Sequence, residues 1–244
     1  MKLACTSGAL HRDIESGELT QLEFLDLCAR EFACDGIVLD VRHFPRTDDD
    51  YLAQLKKMAA DWGLSIAALA DDHFFRSAGE RMMEMLRLAL VVGAPLLAAP
   101  LAGETECSWS EQLERLAVAA SLAKRLNVTL AFRNGARTFA AGTHDCKRVA
   151  KETDSAWLRY GPEPQLLDAG SDPGTLAAGS VLLWSPIRPQ RRSDVVETIE
   201  AFPTYRGFVA LDDSSGTAER GEIGAAIALW RDEICRARKE LNHR

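Results

Sequence analysis

A chain of 244 residues, 47% hydrophobic and 27% charged, has the composition of a soluble globular protein and the length of one large domain or two small ones. Its net charge of −7 argues against a nucleic-acid partner, which wants a basic surface. The longest apolar run, Leu88 to Leu101, is broken by one Gly and two Pro and is too short to span a bilayer, so no membrane partner is expected.

Lys2 to Thr6 reads as a first strand, closed by Ser7-Gly8. Thr20 opens a helix, with Glu23 completing a capping box, and Leu22, Leu25, Cys28, Ala29 and Phe32 recur at helical spacing. A second strand at Gly36 to Val41 is followed by a helix over about Asp48 to Trp62. The third strand, Leu64 to Ala70, ends in Asp71-Asp72-His73, and its helix covers about Ala78 to Val92. Gly93 leads into a fourth strand at Ala94 to Ala99, and Ser110 begins the next helix. Around Asn127 to Arg133, Val128, Leu130 and Phe132 alternate with Thr129, Ala131 and Arg133, the period-2 pattern of a fifth strand. Asn134-Gly135 breaks it, and Thr143 is the expected N-cap of a helix reaching Glu152. Ala156 to Tyr160 is the sixth strand. The pattern then weakens: residues Gly161 to Gly179 hold three prolines and four glycines, which predicts a long loop with at most a short helix near Pro173 to Ala178. Val181 to Trp184, a helix over about Ser193 to Ala201, Gly207 to Leu211 and a helix over about Ala218 to Leu241 complete the chain.

Strict alternation of strand and helix means a parallel sheet with helical crossovers. Eight units in a chain near the roughly 250 residues typical of such folds predict a single-domain α/β (β/α)8 TIM barrel over residues 1–244. An open dinucleotide-binding sheet would need a glycine-rich phosphate turn after the first strand, and Thr6-Ser7-Gly8-Ala9 does not supply one. The six cysteines (Cys5, Cys28, Cys34, Cys107, Cys146 and Cys235) lack CxxC spacing, and the N-terminus lacks a basic-then-apolar leader pattern. The expectation is therefore reduced, mostly buried thiols in a cytoplasmic protein.

The stretch Leu130-Ala131-Phe132-Arg133-Asn134-Gly135-Ala136-Arg137-Thr138, continued by Gly142-Thr143-His144-Asp145-Cys146, resembles the sugar phosphate isomerase/epimerase family with the xylose-isomerase-like barrel. Cys34 to Asp40, Gly63 to Leu69, Ala94 to Leu97 and Gly207 to Asp212 are similar to its second, third, fourth and eighth strands. The resemblance implies a divalent metal, such as Mn²⁺ or Mg²⁺, at the open end of the barrel, held by a Glu, an Asp, a His and a second Glu from the last four strands. In this chain the first position is Arg133, whose guanidinium has no lone pair to give. The second is Gly161, and the third is Leu182 or Trp184, depending on register. Only Asp212, at the fourth, keeps a usable carboxylate, so the resemblance comes with a degenerate metal site and no bound metal cofactor is expected. A metal held elsewhere, by Asp71, His73 and Asp40, is a lesser alternative.

Arg133 and Arg159 are expected to face inward together and to hold the carboxylate or phosphate of a ligand, with Asp212 or His73 moving a proton. In the opposing expectation they pair with Asp212 and Asp40 in a structural network. Asp40 and Asp71 lie at strand ends as candidate ligand-binding residues, although Asp71 is equally suited to cap the next segment. Trp184 is a candidate stacking platform for a sugar, His43 lies near the same end, and His11 shows no pattern. The partner expected is a small carbohydrate or an organic anion; a homo-oligomer is left open. Two functions follow: an isomerase or epimerase with a rebuilt, metal-free site, or a non-catalytic barrel that binds a small ligand or a partner protein.

Overall fold

The computed structural model describes residues 1–168, 170–188 and 191–242. Eight parallel strands form one sheet: β1 (Lys2–Thr6), β2 (Gly36–Asp40), β3 (Ser65–Ala70), β4 (Leu96–Pro100), β5 (Thr129–Arg133), β6 (Leu158–Tyr160), β7 (Leu182–Pro186) and β8 (Phe208–Asp212). Their order is β6-β5-β4-β3-β2-β1-β8-β7. The remaining gap, between β6 and β7, is closed by a bridge from Tyr160 to Ser180 and by two backbone hydrogen bonds, Val181 N to Tyr160 O at 3.0 Å and Trp184 N to Pro162 O at 2.9 Å. The chain is thus a single (β/α)8 barrel, as its alternating pattern predicts.

The helices are α1 (His11–Glu15), α2 (Gln21–Arg30), α3 (Asp49–Asp61), α4 (Gly79–Val92), α5 (Trp109–Leu126), α6 (Thr143–Thr153), α7 (Arg192–Ala201) and α8 (Arg220–Asn242). Among the described residues, none is long and apolar enough to cross a membrane. Thr20 and Glu23 form the expected capping box on α2. Two helix starts differ from expectation. α5 begins at Trp109 rather than Ser110, because Ser108 caps it and Glu111 three residues later returns the bond to the Ser108 backbone. At α6 the N-cap is Gly142, whose N–H is taken by Asp145 at 3.1 Å, so Thr143 is already helical. Among the described residues between β6 and β7, only the 3₁₀ turns Pro164–Leu166 and Pro173–Gly179 are formed, in keeping with the proline-rich sequence.

Most of the core lies between the sheet and the helices, where Leu25, Leu55, Leu86, Leu116, Val149 and Trp230 pack. The barrel interior is a second cluster made mainly of alanines: Ala4, Ala67, Ala68, Ala98, Ala131 and Ala210, with Val38 and Leu182. A register shift after Ile37 lets both Ala67 and Ala68 join it. So many small residues leave room inside for one large side chain, and Trp184 fills it, 1% exposed.

Candidate functional site at the C-terminal mouth

The C-terminal ends of the strands surround a cavity of about 430 Å³. Thr6, Asp40, Asp72, His73, Arg76, Arg133, Trp184 and Asp212 contribute to its lining, together with Arg42, Asn134 and Asp213. Arg133 organises its floor. It ends β5, and its guanidinium lies 3.6 Å from the centroid of the Trp184 ring. Nη1 donates to Asp212 Oδ2 at 3.2 Å, and Nη2 donates to Glu163 Oε2 at 3.1 Å. Asp212 Oδ1 in turn accepts from the Thr6 hydroxyl. Glu163 is held by a double clamp from Asn134, which accepts the Glu163 N–H at 2.6 Å and donates to its carbonyl at 3.1 Å.

Electrostatics follow from this packing. Burial opposes charge on Arg133, but the carboxylates of Asp212 and Glu163 outweigh it and hold the guanidinium above its ordinary range. Burial pushes Glu163 above the usual carboxylate range despite the opposing pull of Arg133. Asp40 is also raised by burial, against the Arg42 backbone N–H and guanidinium that face it. Arg42 Nε donates to Asp40 Oδ2 at 2.7 Å. Arg76 is bound just as fully, with Nε 2.6 Å from Glu106 Oε2 and Nη1 donating to the Asp72 carbonyl.

Of the residues singled out in the sequence, Arg133, Asp212, Asp40, His73 and Trp184 all line the mouth. Three expectations change. Arg159 is not beside Arg133: it pairs in register with Ala131, one inward layer lower, and it is exposed. Strand alternation gives the side on which a residue points but not its height, and the register of β6 on β5 sets Arg159 level with Ala131, two residues before Arg133. Asp71 is 1% exposed and does not line the cavity; its Oδ1 accepts the His73 N–H at 2.9 Å, the capping role. Trp184 is no free platform for a sugar, because the Arg133 guanidinium already covers its ring. Both Leu182 and Trp184 point inward, as residues two apart on one strand do, and of the two only Trp184 reaches the lining of the mouth. The Arg–Asp network expected as an alternative is present in altered form: Arg133 pairs with Asp212 and Glu163, while Asp40 pairs with Arg42 rather than Arg159.

Glu163 was not legible as a site residue. It sits between two prolines in the weak segment, two residues beyond Gly161, and nothing in its local pattern marks it. Asn134 is visible only as a turn signal, although its side chain is what fixes Glu163.

The carboxylates that could hold a divalent metal here are Asp212 and Glu163, and the Arg133 guanidinium stands between them within hydrogen-bond distance of both. A divalent cation would have to displace a tethered cation and accept ligands that are already bonded. Among the described residues, no group of three or more His, Cys, Asp or Glu is placed to hold a metal ion; Asp71, His73 and Asp40 do not converge either. The residues present do not fit the metal that the resemblance implies.

No protein-family model matches the chain, and a search of curated proteins found no match either. Solved structures do match. A D-psicose 3-epimerase from Clostridium cellulolyticum H10, in a structure with D-tagatose, is 14% identical, with a TM-score of 0.76 over 95% of this chain and 98% of its own. A probable 3-DHS dehydratase from Bacillus anthracis is 13% identical, with a TM-score of 0.75 over 94% of this chain and 98% of its own. A xylose isomerase-like TIM barrel/4-hydroxyphenylpyruvate dioxygenase fusion protein is 14% identical, with a TM-score of 0.73 over all of this chain; the chain spans 44% of that protein. At such identities the likeness concerns backbone architecture, and similar architectures carry both an epimerase and a dehydratase. The chain has the fold of the xylose isomerase-like TIM barrels, with an arginine fixed between two carboxylates at the floor of its mouth.

Proposed function

We propose that this protein binds a small polyhydroxylated molecule, a sugar or sugar acid, at the C-terminal mouth. There it moves a proton on that molecule in an isomerase- or epimerase-type reaction, without a divalent metal. The observation that carries the proposal is the fixed position of Arg133, between Asp212 and Glu163 and on the face of Trp184, at the floor of an open cavity. A guanidinium has five N–H donors, and the two carboxylates take one each. A remaining donor can meet a substrate carbonyl oxygen and stabilise the negative charge that develops when a neighbouring carbon loses a proton. Asp212, adjacent to that donor, is the base; His73, on the rim, is the second group that can carry the proton. Because Arg42, Arg76 and Arg133 are each already matched by a carboxylate, the mouth offers interleaved donors and acceptors, which suits hydroxyl groups better than a strongly charged anion.

One observation favours a second reading, a binding barrel without turnover: the charge on Arg133 is already balanced by two carboxylates, which weakens it as an electrophile. A single experiment separates the two. D-Psicose, D-tagatose, the corresponding aldoses and their acids are titrated by calorimetry in EDTA, then incubated with the protein in D2O and analysed for deuterium. Binding with deuterium incorporation is expected. Binding without exchange sustains the non-catalytic reading. Activity that requires added Mn²⁺ or Mg²⁺ overturns metal independence, and no binding across the panel overturns the ligand class.

A further inference from the structure

The mouth has a second compartment. A cavity of about 360 Å³ lies over the ends of β6, β7 and β8, beside the one already described. Glu163, Gln165, Leu166, Arg188 and Asp194 line this second cavity and not the first. Arg133, Asp212, Asp213 and Ser214 line both. The ion pair between Arg133 Nη1 and Asp212 Oδ2, at 3.2 Å, therefore stands in the wall that the two compartments share.

We propose that the ligand of this mouth is a glycoside of two units: a sugar over the ends of β1 to β5, and a second, uncharged, hydroxyl-bearing unit over the ends of β6 to β8, with the link above Arg133 and Asp212. The inference rests on the sugar reading given above and names the substrate class of that same site.

The position of the partition is the first reason. The groups that polarise a carbonyl and take the neighbouring proton in that reading sit between the cavities, not at the back of either one. A molecule centred on them carries substituents to both sides. Each cavity by itself falls within the roughly 300–1,000 Å³ of small-molecule sites, so the second is large enough for a unit of its own.

The second cavity also has its own recognition groups. The hydroxyl of Thr198, buried in α7, donates to the Asp194 carbonyl at 2.8 Å, so towards Gln165 it can only accept. Gln165 Nε2 donates to it at 3.2 Å. This bond fixes the Gln165 amide and leaves Oε1 to accept a ligand hydroxyl. The Asp194 carboxylate, in no ion pair among the described residues, is a further acceptor on the same wall. Leu166, 49% exposed on the turn that carries Gln165, supplies apolar surface for the C–H face of a ring. A few fixed polar groups beside an apolar face suit a second sugar. Charge narrows the class. Glu163, Asp194, Asp212 and Asp213 line this cavity against the guanidiniums of Arg133 and Arg188. That excess of carboxylate repels a phosphate or a uronic acid and favours hydroxyl donors.

The test uses the intact protein in EDTA. Calorimetry compares D-fructose with the fructose disaccharides lactulose, maltulose, turanose and isomaltulose. At least one disaccharide is expected to bind about tenfold or more tightly than D-fructose, and saturation-transfer spectra should place protons of both its rings against the protein. Gln165→Ala and Leu166→Asp, both at exposed positions, are each expected to cut that ratio about fivefold or more. Asp72→Asn, which alters the first compartment alone, should weaken both ligands and keep the ratio. If D-fructose binds and no disaccharide binds more tightly, the second compartment is no subsite, while the sugar reading stands. A disaccharide whose advantage survives both substitutions overturns the placement of its second unit. Binding of neither class overturns this inference and the sugar reading together.

Discussion

Two polar networks are built into the same end of this barrel, and they solve burial in opposite ways. On the β5–β8 side, Arg133, Asp212 and Glu163 are held by charge. On the β1–β2 side, Ser7, His43 and His11 are joined by hydrogen bonds, and burial lowers the His43 pKa to about 4. The difference concerns what each can respond to. A guanidinium keeps its proton at any ordinary pH, so the first network is a fixed electrostatic feature. Imidazoles can take protons, so the second has more than one state.

The largest expected effect comes from removing the fixed cation. Arg133→Met leaves Asp212 and Glu163 facing each other in a buried site and should cost about 3–5 kcal/mol, read from the urea midpoint at neutral pH. The loss should shrink on acidification as the carboxylates take up protons. Arg133→Lys keeps a charge but loses the planar contact with Trp184 and one of the two bonds, and should cost about 1–2 kcal/mol. If Met and Lys are equally mild, the network is not held by charge.

The neutral network should show itself in pH dependence. A folded-state pKa of about 4 against 6.5 means that the unfolded chain binds the His43 proton more readily between those values. His43 therefore contributes stability that is present above about pH 6.5 and lost as pH falls towards 4, by up to about 3 kcal/mol. Replacing it by Gln should flatten that part of the stability curve. A wild-type curve already flat from pH 7 to about pH 4 would show that His43 is not held neutral.

The smallest effect is expected at Gly161, the position where the resemblance calls for a metal-binding Asp. A Cβ there would stand 3.3 Å from Ala131 Cβ, 3.4 Å from the Phe132 carbonyl oxygen and 3.5 Å from Trp184 Nε1, a buried donor with no partner among the described residues. Gly161→Ser should change stability by no more than about 1 kcal/mol, because a slight clash is offset by a hydroxyl within reach of that indole N–H. A loss well beyond that in thermal melts would mean that the interior cannot yield at this point.

The sequence was most informative where chemistry is local. Period-2 runs such as Val128 to Arg133 and the Thr20/Glu23 box predict elements from neighbouring residues alone, and those elements are present. It also placed Arg133 at the end of the fifth strand, where it lines the mouth. It was least informative where contacts join distant segments. Glu163 reaches Arg133 across 30 positions and Asp212 reaches it across 79, and no spacing rule links them. His11 meets His43 across 32 positions; His43 was legible only as lying near the mouth, and His11 carries no pattern of its own.

What the sequence determined by itself is the succession of strands and helices, hence a closed parallel barrel, because hydrophobic periodicity is a property of consecutive residues. Only the tertiary structure decided which charged groups face one another. Closure sets the height and inward angle of each strand end, and so decides that Arg133 meets Glu163 rather than Arg159, that Trp184 lies beneath it, and that two histidines join.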